Sequence, residues 1–338
     1  MLKTVSIEEF IKNKSKYDLI IDARSPKEYA ESKVPNSQNY FALNTDEHHE
    51  IGTIYKQQSH SLAKVLGASY ICNNVSSHVK EIYKSFPLGS RIGIYCARGG
   101  LRSTSVATIL SGTGYLVEKI ERGYKDYRKF VLNYLETFEH EKFITLGGNT
   151  GCGKSEVLRQ LSPSLDIEAM ANHFGSTFGG VNGSQPSQKE FQNSICDNLL
   201  SFDSNEWIFV EGESKKLGSV VQPDLLYKRI HSSVRVEVTA PLEQRVQRIL
   251  KDYINIDEQF FFSCMNHISP YICKNSKEES IKAFEHSDLA KVAEILLVEY
   301  YDKVYKKPTK IDFTVDTENL DKAIVELKDI KERLEKAK

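Results

Sequence analysis

Short apolar runs that break off at polar or glycine-rich clusters recur along this chain. They alternate with segments whose apolar positions return at helical spacing. "YDLIIDAR" predicts a strand ending at Asp22. "SPKEYAES" predicts a helix after it, with Ser25 as cap and Pro26 at the first helical position. "RIGIYCAR" reads as a buried strand, "STSVATILSG" as a short helix stopped by Gly112, and "YLVEKIERG" as the next strand. Strand–helix alternation of this kind predicts a parallel sheet with helices on both faces. The stretch from Ile51 to Val75 is longer than a simple connection and is a candidate for function.

Residues 121–142, "ERGYKDYRKFVLNYLETFEHEK", predict a helical connector. A second α/β pattern follows, with strands at "KFITLGG", "EWIFVEGES" and "SSVRVEVTA". From about Pro241 the pattern is mostly helical, with one more strand at "KIDFTV". The fold class expected is α/β with two domains, residues 1–130 and 131–338, the second ending in a helical C-terminal part.

Composition agrees with that division. A length of 338 residues gives two domains as the natural expectation. Hydrophobic content of 40% and charged content of 27% are ordinary for a soluble globular protein. The net charge of -1 supplies no bulk field for nucleic acid, so any such binding must come from local patches. No apolar run approaches the roughly 20 residues that span a bilayer, and the opening segment lacks the apolar stretch of a signal peptide. The six cysteines form no C-x-x-C pair and have irregular spacings. That argues against a disulfide frame or a zinc site, so no structural metal is expected. A cytoplasmic protein with reduced thiols and no membrane partner is expected.

Two glycine-rich loops carry the candidate chemistry. One is Gly148-Asn149-Thr150-Gly151-Cys152-Gly153-Lys154-Ser155, which fits G-x-x-x-x-G-K-[ST]. An apolar strand enters it and an amphipathic helix, "SEVLRQL", is expected to leave it, as a P-loop requires. Glycines turn backbone N–H groups toward a phosphate, Lys154 adds a full positive charge, and Ser155 would hold Mg2+ where one is present. The strand "WIFVEGES" supplies Glu211 and Glu213 as candidates for metal orientation or a base. "ANHFGSTFGGVNGSQPSQ" suggests a substrate-facing loop. Arg245 and Arg248 lie on one helix face, where phosphate contact and a solvated surface are equally compatible with the pattern.

The other loop is "CARGGLRS". Cys96 follows a buried strand and precedes a helix. The amides of Ala97, Arg98, Gly99, Gly100, Leu101, Arg102 and Ser103 are expected to converge on its sulfur. Those amides and the two arginines make a setting of the kind that favours a nucleophilic thiolate.

"LIIDARSPKEY", "VPNSQNY", the cysteine loop and "ERGYKDYR", in this order, resemble a rhodanese domain. The resemblance implies a rhodanese-like fold for the first domain and a P-loop NTPase-like fold for the second. Arg102 stands six residues after Cys96, the C-x5-R spacing of cysteine phosphatases and of the phosphatase branch of the rhodanese fold. Tyr95 stands where a phosphatase typically has His. Across the chain, "GTIYKQQ", "CARGGLRS", "GGNTGCGKSEVL", "ANHFGSTFGG", "QPSQ", "EGESKKLG" and "YYDKVY" resemble the tRNA 2-selenouridine synthase family. That resemblance implies a transferase that replaces sulfur by selenium in 2-thiouridine at the tRNA wobble position, through S-geranylation. It implies selenophosphate and geranyl diphosphate as co-substrates, with Mg2+ an open question. The partners it implies are the tRNA anticodon loop and a selenophosphate-supplying enzyme. The P-loop is assigned to the geranyl step and Cys96 to selenation.

Candidate tRNA contacts are Arg122, Lys125 and Arg128, interleaved with Tyr124, Tyr127 and Phe130, and Lys215 and Lys216 beyond the acidic strand end. "YYDKVYKKPTK" interleaves Lys303, Lys306 and Lys307 with tyrosines in the same way. Amphipathic helices with buried apolar stripes fit the aromatic segments equally well. The alternative functions are a P-loop kinase or NTPase with a rhodanese-like regulatory domain, a C-x5-R phosphatase, and an RNA-binding protein without catalysis.

Overall fold

The computed structural model describes residues 2–253, 256–305 and 310–337. It divides into two compact units: Met1–Tyr134 with Gln192–Ser194, and Leu135–Phe191 with Ile195–Lys338. The division falls inside the helix Tyr124–Thr137, which occupies the expected connector.

The first unit holds strands β1 (Lys3–Val5), β2 (Leu19–Asp22), β3 (Ser37–Asn39), β4 (Arg91–Tyr95) and β5 (Leu116–Ile120). They form one parallel sheet in the order β1-β5-β4-β2-β3. The central strands are apolar along their length because both faces are covered, as parallel sheets require. The stretch from Ile51 to Val75 falls in two helices, Thr45–Gln57 and His60–Ser85. Ile71, Val75 and Ile82 of the second bury against Ile21, Ile92 and Ile94 of the sheet. The helix after β4 runs Leu101–Thr113 and does not stop at Gly112. It ends at Gly114, whose φ of 108° is the left-handed cap that glycine adopts without strain.

The second unit holds β6 (Phe143–Gly147), β7 (Ser164–Leu165), β8 (Ile208–Glu211), the antiparallel ribbon β9 (Lys216–Leu217) and β10 (Val220–Val221), then β11 (Val234–Thr239) and β12 (Phe313–Asp316). The main sheet is parallel, in the order β12-β11-β6-β8-β7. The helix Leu320–Lys336 packs Ala323, Ile324 and Leu327 onto it. Helices Glu258–Ile268, Lys274–Glu285 and Leu289–Leu296 build a separate apolar cluster around Phe261 and Met265. The helix after the P-loop is one turn only, Lys154–Leu158, shorter than the expected amphipathic segment. Among the described residues no helix is long and apolar enough to cross a membrane.

Candidate active sites

In the first unit, β4 delivers Cys96 to the carboxyl edge of the sheet, where open α/β sheets bind ligands. Cys96 is buried. The wholly buried Ser103 donates its hydroxyl to Sγ at 3.1 Å, and Sγ lies 3.9 Å from the Gly100 carbonyl. The loop is clamped from behind. The amides of Tyr124 and Lys125 donate to the carbonyls of Cys96 and Ala97, at 2.8 and 3.1 Å. Lys119 Nζ donates to the Gly99 carbonyl at 2.8 Å and to Thr104 Oγ1 at 3.2 Å. Arg98, Gly100 and Leu101 are exposed, and Arg98 has no ion pair among the described residues.

Arg102 already has an anionic partner. Its two terminal nitrogens donate to Glu28 Oε2 at 2.5 Å and Oε1 at 3.3 Å. Glu28 also closes a capping box by accepting from the Ser25 amide. Burial pushes the Glu28 carboxyl up, but the Arg102 hydrogen bonds and charge, with the Ser25 amide, hold it down at about 2. Tyr95, in the position of the phosphatase histidine, is wholly buried. Its hydroxyl accepts from the Val34 amide at 3.1 Å and meets Ser37 Oγ at 3.0 Å. It is therefore a packing residue. Asp22 and Arg24 form a buried pair, with the guanidinium 3.9 Å above the Tyr124 ring.

In the second unit, β6 runs into the P-loop. Gly148, Gly151 and Gly153 all have positive φ, which lets the loop fold back on itself. The loop borders a cavity of about 470 Å3. Lys154 Nζ donates to the carbonyls of Gly148 and Asn149, at 3.0 and 3.5 Å. Burial lowers the Lys154 ammonium, but Cys152, Glu213, Glu168 and Glu211 outweigh it and raise it above its ordinary value. Ser155 donates to Glu168 Oε2 at 2.9 Å, and the Glu168 amide donates to Glu211 Oε2 at 3.4 Å.

Glu168, Glu211 and Glu213 thus surround one lysine. Burial raises all three carboxyls, and neighbouring acids raise Glu168 and Glu211 further, the latter to about 8. Glu211 Oε1 is buried with no hydrogen-bond partner among the described residues. Gly175 of the "HFGSTFGG" loop lies over this cluster with φ +68°, and a Cβ there would come within 2.2 Å of Glu213 Oε2. The expected substrate-facing loop therefore does reach the P-loop cavity, through Phe174, Gly175, Ser176 and Thr177.

Arg245 and Arg248 are buried, so the solvated-face alternative does not hold. Arg245 pairs with Asp302 at 2.6 Å and donates to the Thr150 carbonyl at 2.9 Å. Asp302 in turn accepts from Asn149 at 2.9 Å. Arg248 pairs with Glu156 at 2.8 Å and donates to the Thr317 carbonyl at 2.7 Å. Both arginines brace the loop, Arg245 through the Thr150 carbonyl and Arg248 through Glu156, and Arg248 also borders the cavity.

The tRNA candidates differ in their settings. Arg122 and Lys125 are exposed, and Arg122 lies 3.8 Å from Asp126. Arg128 donates to Gln192 and Asn193. Lys215 pairs with Asp224 at 2.5 Å, while Lys216 is exposed on β9. Lys306 and Lys307 lie outside the described residues. Among the described residues no group of three or more His, Cys, Asp or Glu side chains could hold a metal. Sequence reasoning missed Glu168 and Lys119. Neither belongs to a motif: Lys119 is an inward residue of β5, and Glu168 sits on the one-turn helix Ile167–Ala171.

Comparison with known proteins adds to this geometry. Residues 6–130 match the rhodanese-like domain family, and residues 141–270 match the family described as the tRNA 2-selenouridine synthase AAA domain. A tRNA 2-selenouridine synthase of Nitrosomonas europaea is 37% identical over 70% of this chain and 63% of its own length. One from Psychromonas ingrahamii is 31% identical over 72% of this chain and 67% of its own. One from Hydrogenovibrio crunogenus is 29% identical over 87% of this chain and 91% of its own. The match therefore spans less than two thirds of the Nitrosomonas protein and nearly all of the Hydrogenovibrio one.

Proposed function

Because the chain belongs to the tRNA 2-selenouridine synthase family, we propose that it is a transferase converting wobble 2-thiouridine of tRNA to 2-selenouridine in two steps, one at each glycine-rich loop. The observation that supports this reading is that one chain carries two glycine-rich strand–loop–helix turns of different character. One is built around a buried thiol, the other around a lysine among carboxyls.

In the first step the sulfur of 2-thiouridine attacks C1 of geranyl diphosphate. The C1–O bond breaks, and pyrophosphate leaves with the proton from N3 of the base. The P-loop amides and Lys154 hold the departing charge, which is the largest contribution such a site makes. Mg2+ bound there would neutralise diphosphate charge. The Ser155 hydroxyl and the Glu168 carboxyl are hard oxygen donors that suit it, since Mg2+ takes one or two protein carboxylates alongside substrate phosphates.

In the second step the Cys96 thiolate attacks the phosphorus of selenophosphate. The P–Se bond breaks, and hydrogen selenide ion leaves with one proton. It adds at C2 of the geranylated base and expels geranylthiol, and water then hydrolyses the phosphocysteine. The longer C-x5-R loop suits a tetrahedral phosphoryl group. Its backbone amides, with Arg102 once it exchanges Glu28 for the substrate, would hold the phosphoryl oxygens, and Ser103 would steady the sulfur as it leaves phosphorus.

Mass spectrometry of tRNA nucleosides tests the scheme. Geranyl diphosphate alone should give S-geranyl-2-thiouridine, and both co-substrates together should give 2-selenouridine. Selenophosphate alone should leave 2-thiouridine unchanged. Unmodified nucleoside under all three conditions refutes it.

A further inference from the structure

The P-loop cavity adjoins a second cavity of opposite character. Thr150, Ile249, Tyr253 and Tyr301 wall both. Beyond them the second cavity is lined by apolar side chains of the helical part, among them Phe261, Phe284, Leu289 and Val292. A P-loop cavity that shares walls with an apolar pocket fits a ligand with a diphosphate head and a hydrocarbon tail. Resting on the allylic-diphosphate reading above, we propose that this apolar cavity holds the far isoprene unit of the prenyl tail. The stacked pair Phe261–Phe284 then forms the floor that sets the tail length.

The dimensions support this division. The apolar cavity offers about 50 Å3. At roughly 10–15 Å3 per water that is room for about three to five waters, a space on the order of one isoprene unit. The near unit lies in the neck between the two tyrosines. Phe261 and Phe284 stack with centroids 3.8 Å apart and planes 4° from parallel, a rigid apolar wall.

The neck is also unusual. Leu297–Tyr301 is a π-helical turn, a feature that recurs at functional sites. Successive residues of a regular helix point about 100° apart. Here Tyr300 and Tyr301 both border the P-loop cavity. The Tyr301 hydroxyl is buried without a partner among the described residues, and Tyr253 has only Ser176 at 3.4 Å. Phenol rings at this place face the carbon on which positive charge develops, as cation–π attraction favours. The unpartnered Tyr301 hydroxyl would meet an oxygen of the diphosphate, and the long Tyr253–Ser176 contact could exchange for another.

The test compares dimethylallyl, geranyl and farnesyl diphosphates with 2-thiouridine tRNA, reading each S-alkyl nucleoside by mass spectrometry. Wild type should favour geranyl. Phe284→Ala should raise the farnesyl-to-geranyl ratio about tenfold or more. Leu289→Phe, a half-buried wall position, should lower the geranyl-to-dimethylallyl ratio by roughly a factor of four per methylene no longer buried. Both readouts are ratios within one variant, so a partial loss of folded protein cancels, and either variant suffices if the other fails to fold. Unchanged ratios with geranyl transfer intact overturn the tail assignment alone. No alkylation by wild type with any of the three diphosphates overturns the function proposed above, and the tail assignment falls with it.

Discussion

The two cradles share a plan, strand then glycine-rich loop then helix, yet they balance charge in opposite ways. At the cysteine loop the arginine of the C-x5-R motif is already neutralised in the free protein. Arg102 is paired with Glu28, whose carboxyl is held at about 2, and the sulfur has the Ser103 hydroxyl beside it. At the P-loop one buried lysine faces three carboxyls that burial pushes up, and Glu211 Oε1 has no partner. On the function proposed above, the first loop is organised around a nucleophile, and what enters must compete with Glu28 for Arg102. On the same proposal the second takes an anion of higher charge, and protons on its own carboxyls would favour that anion's binding. A loop motif alone does not reveal this difference, because it lies in the residues each loop is set against.

The largest expected effect separates the two cradles by their chemistry. Cys96→Ser should leave geranylation intact and abolish 2-selenouridine, a loss of roughly a thousandfold or more, as removal of a nucleophile typically gives. S-geranyl-2-thiouridine should accumulate in tRNA supplied with both co-substrates. Normal 2-selenouridine from this variant would mean that the thiol is a packing residue.

Lys154→Ala is the reciprocal experiment. Geranylation should fall by about 10²–10³, the usual cost of one charge-stabilising contact at a leaving group. Conversion of tRNA that already carries S-geranyl-2-thiouridine should proceed at the wild-type rate. Equal loss in both assays would dissolve the division of labour between the loops.

The placement of Cys96 and Lys154 in strand–loop–helix turns was legible because each sits in a contiguous motif whose spacing encodes a backbone shape. The parallel sheets were legible as well, since "YDLIIDAR", "RIGIYCAR" and "KFITLGG" are apolar runs of strand length ended by polar or glycine-rich turns. What was not legible is assembled from a distance. Glu168 reaches Ser155 from a one-turn helix, and Asp302 reaches Arg245 from 57 residues away and Asn149 from 153. Arg245 and Arg248 show the limit of periodicity. An i, i+3 pair of arginines reads alike whether it faces water or a folded loop, and only tertiary packing buries it. Gly112 failed as a stop signal because a glycine inside a helix is merely costly, whereas Gly114 occupies the left-handed position that ends one.

A smaller effect probes the protons held at the P-loop. Burial, with Asp166 and Glu213 nearby, places the Glu211 carboxyl at about 8, well above its ordinary value. Such a group binds its proton more tightly when folded than when unfolded. It therefore does not oppose folding below the ordinary carboxyl range, opposes it progressively as pH rises from there, and opposes it fully above about 8. Geranyl diphosphate affinity should fall as pH rises from 7 to 9, up to about tenfold per unit once the proton is lost. Glu211→Gln should flatten that slope and melt higher than wild type at pH 9. A variant with the wild-type slope in calorimetric titration would place the proton on another group.

The smallest effect concerns the charge settled in advance at the cysteine loop. Burial works against the Glu28 carboxylate, but Arg102 and the Ser25 amide more than offset it and hold the group at about 2. A carboxyl depressed in this way stabilises the fold fully above its ordinary value, near 4.3 in the unfolded chain, and loses that contribution as pH falls toward 2. Glu28→Gln keeps the shape of the capping side chain and removes the charge. It should cost about 1 kcal/mol at pH 7, the usual scale of a cap and a partly exposed ion pair together. The gap between the two melting curves should close as pH is lowered from 5 to 2. The same change frees the Arg102 guanidinium for an incoming anion, so the KM for selenophosphate should drop a few-fold while geranylation is untouched. Thermal melts across that pH range and a selenation assay on pre-geranylated tRNA measure both effects. A raised KM would mean that Glu28 is needed to aim Arg102. Its carboxylate would then belong to the cradle itself and would no longer be a competitor for it.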